Sequence, residues 1–384
     1  MDFDFSDEQI ALREAVSRWV DRAFAFERRH AAARAGGHSR EVWQELADLG
    51  LCALAVPDDH GGLQAGPIEA MVVMEELGRG LVHAPYAAGA LIAPAMFAGA
   101  DASLRSAWLP RIASGDALVV LAHQERAARH RLDRVTCRAE AAADGTWRLT
   151  GTKSVVPAGD EADAWIVPAR RDRTDDGDGT NAADSATALF LVERDTAGAG
   201  VRGYPTQDGA RAAELTLRDA RATLLREDGA SALQLAADIG IAAACAEGTG
   251  LMERLLAMTV EYLNTRRQFG APLASFQALR HRVADLKMQL ELARSMSYYA
   301  SMKLDEPAPL RSRAMALAKV QLGRSMREVG QQCIQLHGGI GVTDEYAASH
   351  YFKRLTVLDL SWGDTLHHLA AVSEGLQDHA GVFA

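Results

Sequence analysis

Two stretches carry the residue types from which a binding site could be built. From Tyr262 to Leu286 the chain reads YLNTRRQFGAPLASFQALRHRVADL. Adjacent Arg266 and Arg267, the aromatic Phe269, a Gly-Ala-Pro break and then Gln277 on a new helical pattern put positive charge beside an apolar ring where two helices meet. Such a corner suits an anionic ligand with a flat face. Taken alone, arginines at a helix end are ordinary solvated cations favoured by the C-terminal dipole, and Phe269 is ordinary core. The second stretch, Gln335-Leu336-His337-Gly338-Gly339-Ile340-Gly341, ends another long helical pattern. Paired glycines there let a backbone approach a ligand without side-chain clash.

In this order the two stretches resemble the acyl-CoA dehydrogenase flavoprotein family, and the resemblance runs along nearly the whole chain. It implies an FAD cofactor shared between subunits, with Arg266, Phe269, Gln277, Gln335, Gly338 and Gly339 touching the FAD of a neighbour. It also implies an acyl-CoA substrate and an electron-transfer flavoprotein or similar acceptor. Dehydrogenation of a thioester between its α- and β-carbons needs a polarised carbonyl and a base beside the α-carbon. A carboxylate in a desolvated pocket is the natural base, because burial raises its pKa toward the working pH. In most of the family this is a glutamate after the Gln-Gly-Gly motif, and the ungapped match here is Trp362. Other branches carry it on the first long helix of the C-terminal lobe, where this chain has Gly240. Neither residue accepts a proton. The carboxylates nearby are Asp364, Asp238 and Glu247, and the Gly-Asp-Thr phrase around Asp364 also reads as a helix N-cap. His367 and His368 are adjacent, so only one of them faces a given pocket.

Two further phrases depart from the family pattern. Where typical members show Thr-Glu-Pro, this chain has His123-Gln124-Glu125-Arg126. Where they show Trp-Ile-Thr-Asn after a Gly-x-Lys turn, it has Val155-Val156-Pro157-Ala158 after Gly151-Thr152-Lys153-Ser154. Those phrases cradle the flavin ring in the family, and proline removes a backbone donor. A chain that keeps its contacts to a neighbour's FAD yet lacks its own base and ring-face residues resembles one half of a heteromeric dehydrogenase. In such an α2β2 assembly a second dehydrogenase subunit supplies the base. The phrases GYPTQDG (Gly203 to Gly209), FQALRHRVAD, QLHGGIG and HYFKRLT are most similar to small subunits of pimeloyl-CoA dehydrogenases. That implies a dicarboxylyl-CoA or another bulky acyl-CoA. The alternatives are a self-sufficient homotetramer using Asp364 or Asp238 as base, and a non-catalytic scaffold subunit.

These residues must be held by separate lobes, because 384 residues exceed the size at which one core keeps growing. The expected fold class is α+β and mostly α: a helical domain over residues 1–116, a β-barrel over 117–227 and a helical bundle over 228–384. Ser6 with Gln9 is a capping-box signature, and Pro67 suits a first helical turn. Leu51 to Pro57 reads as apolar and extended. Val119 to Leu121, Thr146 to Thr150, Trp165 to Val167, Ala188 to Val192 and Ala213 to Leu217 read as short strands. Arg171 to Ala186 is polar and aperiodic, as in a hairpin tip. The stripe Met252, Leu255, Leu256, Val260 and Leu263 marks a long buried helix.

A formal charge of −10 argues against nucleic-acid binding, which needs a basic face. Cys52, Cys137, Cys245 and Cys333 show no CxxC spacing and read as reduced core thiols, and the scattered histidines form no zinc-type pattern. The start MDFDFSDEQ lacks an apolar signal core, and no apolar run approaches the ~20 residues of a membrane span. A cytoplasmic protein without a metal is expected.

Overall fold

The computed structural model describes residues 4–37, 40–171 and 187–376. Except for Arg171, the expected hairpin tip lies outside the described residues.

The first helix starts at its capping signal. Ser6 Oγ accepts from Gln9 N at 3.2 Å, and Gln9 Oε1 accepts from Ser6 N at 3.0 Å. The helix so begun, α1 (Asp7–Ala23), buries Val16 and Val20 and is followed by α2 (Phe26–Arg34) and α3 (Arg40–Asp48). Leu51 to Pro57 is not extended. Gly50 adopts a left-handed φ of 77°, and Leu51–Ala53 winds into a 3-10 turn. Consecutive Leu51 and Cys52 are thereby both buried, whereas a strand would send them to opposite faces. Then α4 (Pro67–Arg79) opens with proline in its first turn, and Glu69 Oε2 accepts from Gly66 N at 3.0 Å. A π-helical turn over Ala87–Ile92 runs into α5 (Ala93–Phe97), and α6 (Ala102–Ala113) follows.

The chain then changes to strands: β1 (Val119–Leu121), β2 (Arg138–Ala141), β3 (Trp147–Pro157), β4 (Ala164–Arg171), β5 (Thr187–Glu193), β6 (Ala199–Pro205) and β7 (Arg211–Arg226). Pairing runs from β4 to β2, β3, β7, β5 and back to β4, closing a barrel that leaves no edge within the ring. β1 lies along β4, and β6 along β7.

Helices resume with α7 (Gly229–Thr265). A small hairpin of β8 (Arg267–Gln268) and β9 (Ala271–Pro272) leads to α8 (Gln277–Met302), α9 (Ala308–His337), α10 (Ala347–Leu360) and α11 (Thr365–Glu374). By length and composition α7 could cross a membrane, contrary to the expectation that no run reaches that size. Most of it is buried within the protein, where it is the central helix of the bundle. It meets α4 backbone to backbone: a Cβ on Gly250 would stand 1.9 Å from the Glu75 carbonyl oxygen, and one on Gly78 would stand 2.2 Å from that of Glu247.

The lobes are tied by a buried polar junction centred on Asp208 of the GYPTQDG turn. Arg354 of α10 donates to Asp208 Oδ2 at 2.8 Å and to both carboxylate oxygens of Glu247 at 2.5 and 2.8 Å. Arg29 of α2 donates to the Asp208 carbonyl at 2.6 Å and to His350 Nδ1. His30, Asp344 and His350 lie within 4.8 Å of one another, in a grouping the sequence did not suggest. Since His350 Nδ1 accepts from Arg29, its Nε2–H donates to the Asp344 carbonyl at 2.7 Å. With both nitrogens engaged, the trio reads as a tie between α2 and α10 rather than a metal centre.

Candidate active site

At the end of α7, Arg266 N donates to the Tyr262 carbonyl at 2.8 Å, and Leu273 N returns a bond to the Arg266 carbonyl at 2.9 Å. The hairpin between them turns through Phe269 (φ 54°) and Gly270 (φ 80°), two positive-φ residues in succession, as a type I′ turn requires. Glycine takes that conformation freely, but phenylalanine does so at a cost. The Phe269 ring is 90% exposed and meets Phe276 edge-on at 6.0 Å. A strained aromatic standing in solvent marks a surface made for a partner. Arg266 and Gln277, the latter at the start of α8, are exposed, and Arg266 makes no ion pair among the described residues.

The second stretch comes to the same place. The Tyr262 ring packs on His337 at 4.8 Å, which joins the end of α7 to the end of α9. His337 Nδ1–H donates to the Cys333 carbonyl at 2.8 Å, leaving Nε2 to accept from Tyr346 Oη at 3.2 Å. Beyond it Gly338 has φ 66°, and a Cβ on Gly338 or Gly339 would meet nothing within 4 Å. Gln335 is exposed beside them. A free cation, a solvent-facing ring and a bare glycine backbone fit one flank of a flat anionic dinucleotide such as FAD.

The two positions where a base was sought are one place in space. Trp362 sits at φ 58° in the turn after α10, and its indole lies on Gly240 so closely that a Cβ there would be 2.3 Å from Trp362 Nε1. His123 stacks on that indole, with centroids 4.3 Å apart and planes 6° from parallel. The turn is held from below by Lys319, buried and donating to the carbonyls of Leu358, Asp359 and Gly363 at 3.0, 2.8 and 2.9 Å. It is held from the side by His368 Nε2–H, which donates to the Trp362 carbonyl at 2.9 Å. Burial pulls the Lys319 ammonium below its ordinary pKa. Of the adjacent histidines only His368 turns inward; His367 is exposed.

The nearby carboxylates are all occupied. Asp364 Oδ1 caps α11 by accepting from His367 N at 2.8 Å, and that bond, with the charges of His130 and Arg129, holds its pKa below the ordinary value. A base would need the opposite shift. The same cap places a carboxylate where this helix end would otherwise receive an anion. Asp238 is fully buried, accepting from Arg311 Nε at 2.7 Å, Ser312 Oγ at 3.0 Å and Gln234 Nε2 at 3.0 Å. Glu247 is bidentate to Arg354.

The two barrel phrases that depart from the family pattern meet through a pair that sequence reasoning missed. Lys153 Nζ donates to Glu125 Oε1 at 2.6 Å, with the two side chains 0% and 4% exposed. Glu125 also accepts from Thr136 N at 2.8 Å, Thr136 Oγ1 and Cys137 N at 3.2 Å. Burial pushes its pKa up, but Lys153 and Thr136 outweigh that and hold it below the ordinary value. Directly after Lys153 the backbone is strained: Val155 has φ 52° and Ala158 φ 47°, and the Pro157 nitrogen carries no proton. The turn on this side of the barrel is thus strained at Val155 and Ala158 and offers no backbone donor at Pro157.

The half-buried His123 and the buried His368 give the site an acid limit. Burial, then the Lys153 charge, pull His123 from an ordinary 6.5 to about 4, and burial pulls His368 to about 4 as well. Both are neutral in the fold, whereas the unfolded chain takes up their protons once the pH drops below the ordinary value. Their contribution is complete above pH 6.5 and is lost as the pH falls toward 4. Unfolding free energy should fall across that window by at most about 1.4 kcal/mol per pH unit for each histidine, read as a falling melting temperature. A flat profile between these limits would contradict the buried neutral assignment.

The described chain is thus a helical lobe, a closed barrel and a helical bundle, with an open cation–aromatic–glycine corner where α7 and α9 end. The chain belongs to the acyl-CoA dehydrogenase family. The family profiles "Acyl-CoA dehydrogenase, N-terminal domain" and "Acyl-CoA dehydrogenase, C-terminal domain" match residues 6–116 and 227–377. Acyl-CoA dehydrogenase IpdE2 of Mycolicibacterium smegmatis is 30% identical over 351 residues, covering 91% of this chain and 92% of that one. Acyl-CoA dehydrogenase FadE27 of Mycobacterium tuberculosis is 28% identical, covering 88% of each. Among solved structures, the ChsE4-ChsE5 complex from Mycobacterium tuberculosis has a TM-score of 0.85 at 25% identity, covering 98% of this chain and 99% of that chain. A variant of the Tcur3481-Tcur3483 steroid ACAD has a TM-score of 0.85 at 27% identity, with coverage of 98% and 99%. Members of the family are FAD-dependent oxidoreductases acting on CH–CH bonds, which sets the activity class of this chain.

Proposed function

We propose that this chain is one half of a heteromeric FAD-dependent acyl-CoA dehydrogenase, working in the cytoplasm on a bulky or ω-carboxylated acyl-CoA and passing electrons to an electron-transfer flavoprotein or similar acceptor. Its role is to complete the FAD site of a partner through Arg266, Phe269, Gln277, Gln335, Gly338 and Gly339, while the partner subunit contributes the base. One observation carries this reading: the Trp362 indole lies on Gly240 and under His123, so both positions where a glutamate was sought are filled by a side chain that takes no proton. A self-sufficient enzyme using Asp364 or Asp238 has less support, because both are held as a helix cap and a buried ion pair. The heteromeric complexes among the similar structures favour the same reading.

Bound FAD would accept the hydride from the β-carbon. This chain's share of the work is electrostatic: Arg266 offers its guanidinium to a phosphate, and the bare glycines let donor groups come close. Co-expression with a base-carrying dehydrogenase chain should give acyl-CoA turnover that this chain alone lacks; full turnover by the purified homo-oligomer would reject the proposal. In the assembled complex, Arg266→Ala should weaken FAD binding by about tenfold to a hundredfold, the worth of a hydrogen bond to a charged group. Unchanged flavin affinity on fluorescence titration would remove Arg266 from the cofactor site.

A further inference from the structure

Outside the barrel ring, β6 pairs with β7 on one side only, so among the described strands its other edge is free. The pairing is antiparallel, and Arg218 N donates to the Gly198 carbonyl at 2.9 Å. Bonded pairs alternate along such a ladder, so Gly200 and Arg202 turn their backbone groups to β7. The exposed Val201 between them therefore turns its N–H and C=O to the free edge. A groove of about 450 Å³ follows the same two strands. Its floor is bare backbone at Gly200, where a Cβ would meet only the Thr216 carbonyl, at 3.9 Å.

This groove is basic, on a chain whose formal charge is −10. Arg202 lies directly opposite Glu214 of β7. Glu214 accepts from Arg202 and, at 2.7 Å, from Arg126 Nη2, so two guanidiniums share one carboxylate and hold its pKa below the ordinary value. Arg218 borders the same groove, is exposed and makes no ion pair among the described residues. The next residue, Asp219, has its Oδ2 4.0 Å from Arg148 Nη1. Three cations and one carboxylate thus flank an unpaired strand. Charged side chains on an edge keep it from pairing with copies of itself, and they repel any strand of like sign. An acidic strand meets no such barrier.

We infer that β6 is a docking edge for an extended acidic segment of a partner protein, which adds as a strand beside Val201 and sets alternate carboxylates on the face that carries Arg202, Arg126 and Arg218. Main-chain bonds to the free edge give the affinity, and the arginines select the sign of the charge. The surface is built from strands of the barrel and not from the α7–α9 corner. It goes beyond the heteromer reading and holds whichever chain supplies the base.

The test is fluorescence anisotropy of the assembly as purified with a fluorescein-labelled peptide of alternating glutamate and valine at low ionic strength. That peptide should bind, and its counterpart with lysine in place of glutamate should not. Arg218→Glu should weaken binding about tenfold, since it removes an attraction and adds a repulsion. Glu214→Gln should strengthen it about threefold by releasing two guanidiniums. Val201→Pro deletes the donor on the free edge while leaving the ladder to β7, and should weaken binding about fivefold, the worth of one hydrogen bond. If that variant disturbs the fold on circular dichroism, the unaltered protein with an N-methylated glutamate–valine peptide makes the same comparison, and at least the same loss is expected. No binding of the glutamate peptide, equal binding of the lysine peptide, or unchanged affinity in Arg218→Glu would each overturn the proposal. Full affinity for the N-methylated peptide would overturn it too, because the surface would then read charge alone.

Discussion

Lys153→Met should lower the stability of the protein by about 3–5 kcal/mol, because it strands the Glu125 carboxylate in a site sealed from water. The two side chains are 0% and 4% exposed, so solvent cannot replace the lost ammonium. Glu125 would keep its bonds from Thr136 and Cys137, which argues for the lower half of that range. Glu125→Gln in the same background should recover part of the loss, since the amide oxygen still accepts from Thr136 and the net charge is gone. The consequence reaches the site: Lys153 precedes the strained Val155 turn, and Glu125 follows His123, so one ion pair fixes both edges of the ring face. Chemical denaturation of the two variants checks this. A loss near 1 kcal/mol for Lys153→Met would show that water reaches the pair.

Gly250→Ala should be comparably damaging, by about 3 kcal/mol or more, at the far end of what overpacking costs. A methyl group there would stand 1.9 Å from the Glu75 carbonyl oxygen, and backbone cannot rotate away as a side-chain tip can. Gly78→Ala meets the Glu247 carbonyl at 2.2 Å from the opposite helix, so both variants force α4 and α7 apart. They are neighbours in one contact, and the double variant should cost less than the sum of the singles. A change of under 1 kcal/mol in either would mean that the helices slide freely.

Local signals in the sequence are legible where a few neighbouring residues decide the outcome. Ser6 with Gln9 and Pro67 start helices because capping and φ are settled within one turn. The Gly-Asp-Thr phrase is a cap for the same reason. Leu51 to Pro57 departs from the extended form because an apolar run does not say whether its residues share one face; Gly50 decides that by turning left-handed. Relations between distant residues were not legible. Gly240 and Trp362 stood out separately as positions without a glutamate, yet no spacing rule says that the indole of one lies on the backbone of the other. Glu125 and Lys153 likewise fell in two separate phrases, and the GYPTQDG turn gave no sign that Asp208 ties three lobes together through Arg29 and Arg354.

The central claim is that this polypeptide serves a cofactor it does not hold on its own ring face. Its most direct test is the ratio of FAD to protein in the assembly co-purified with a base-carrying partner, determined from the flavin absorbance of denatured sample against chain concentration. One FAD for every two chains, one of each kind, is the predicted result. One FAD for every chain would contradict it, because a flavin would then occupy the face where Trp362 and His123 stack.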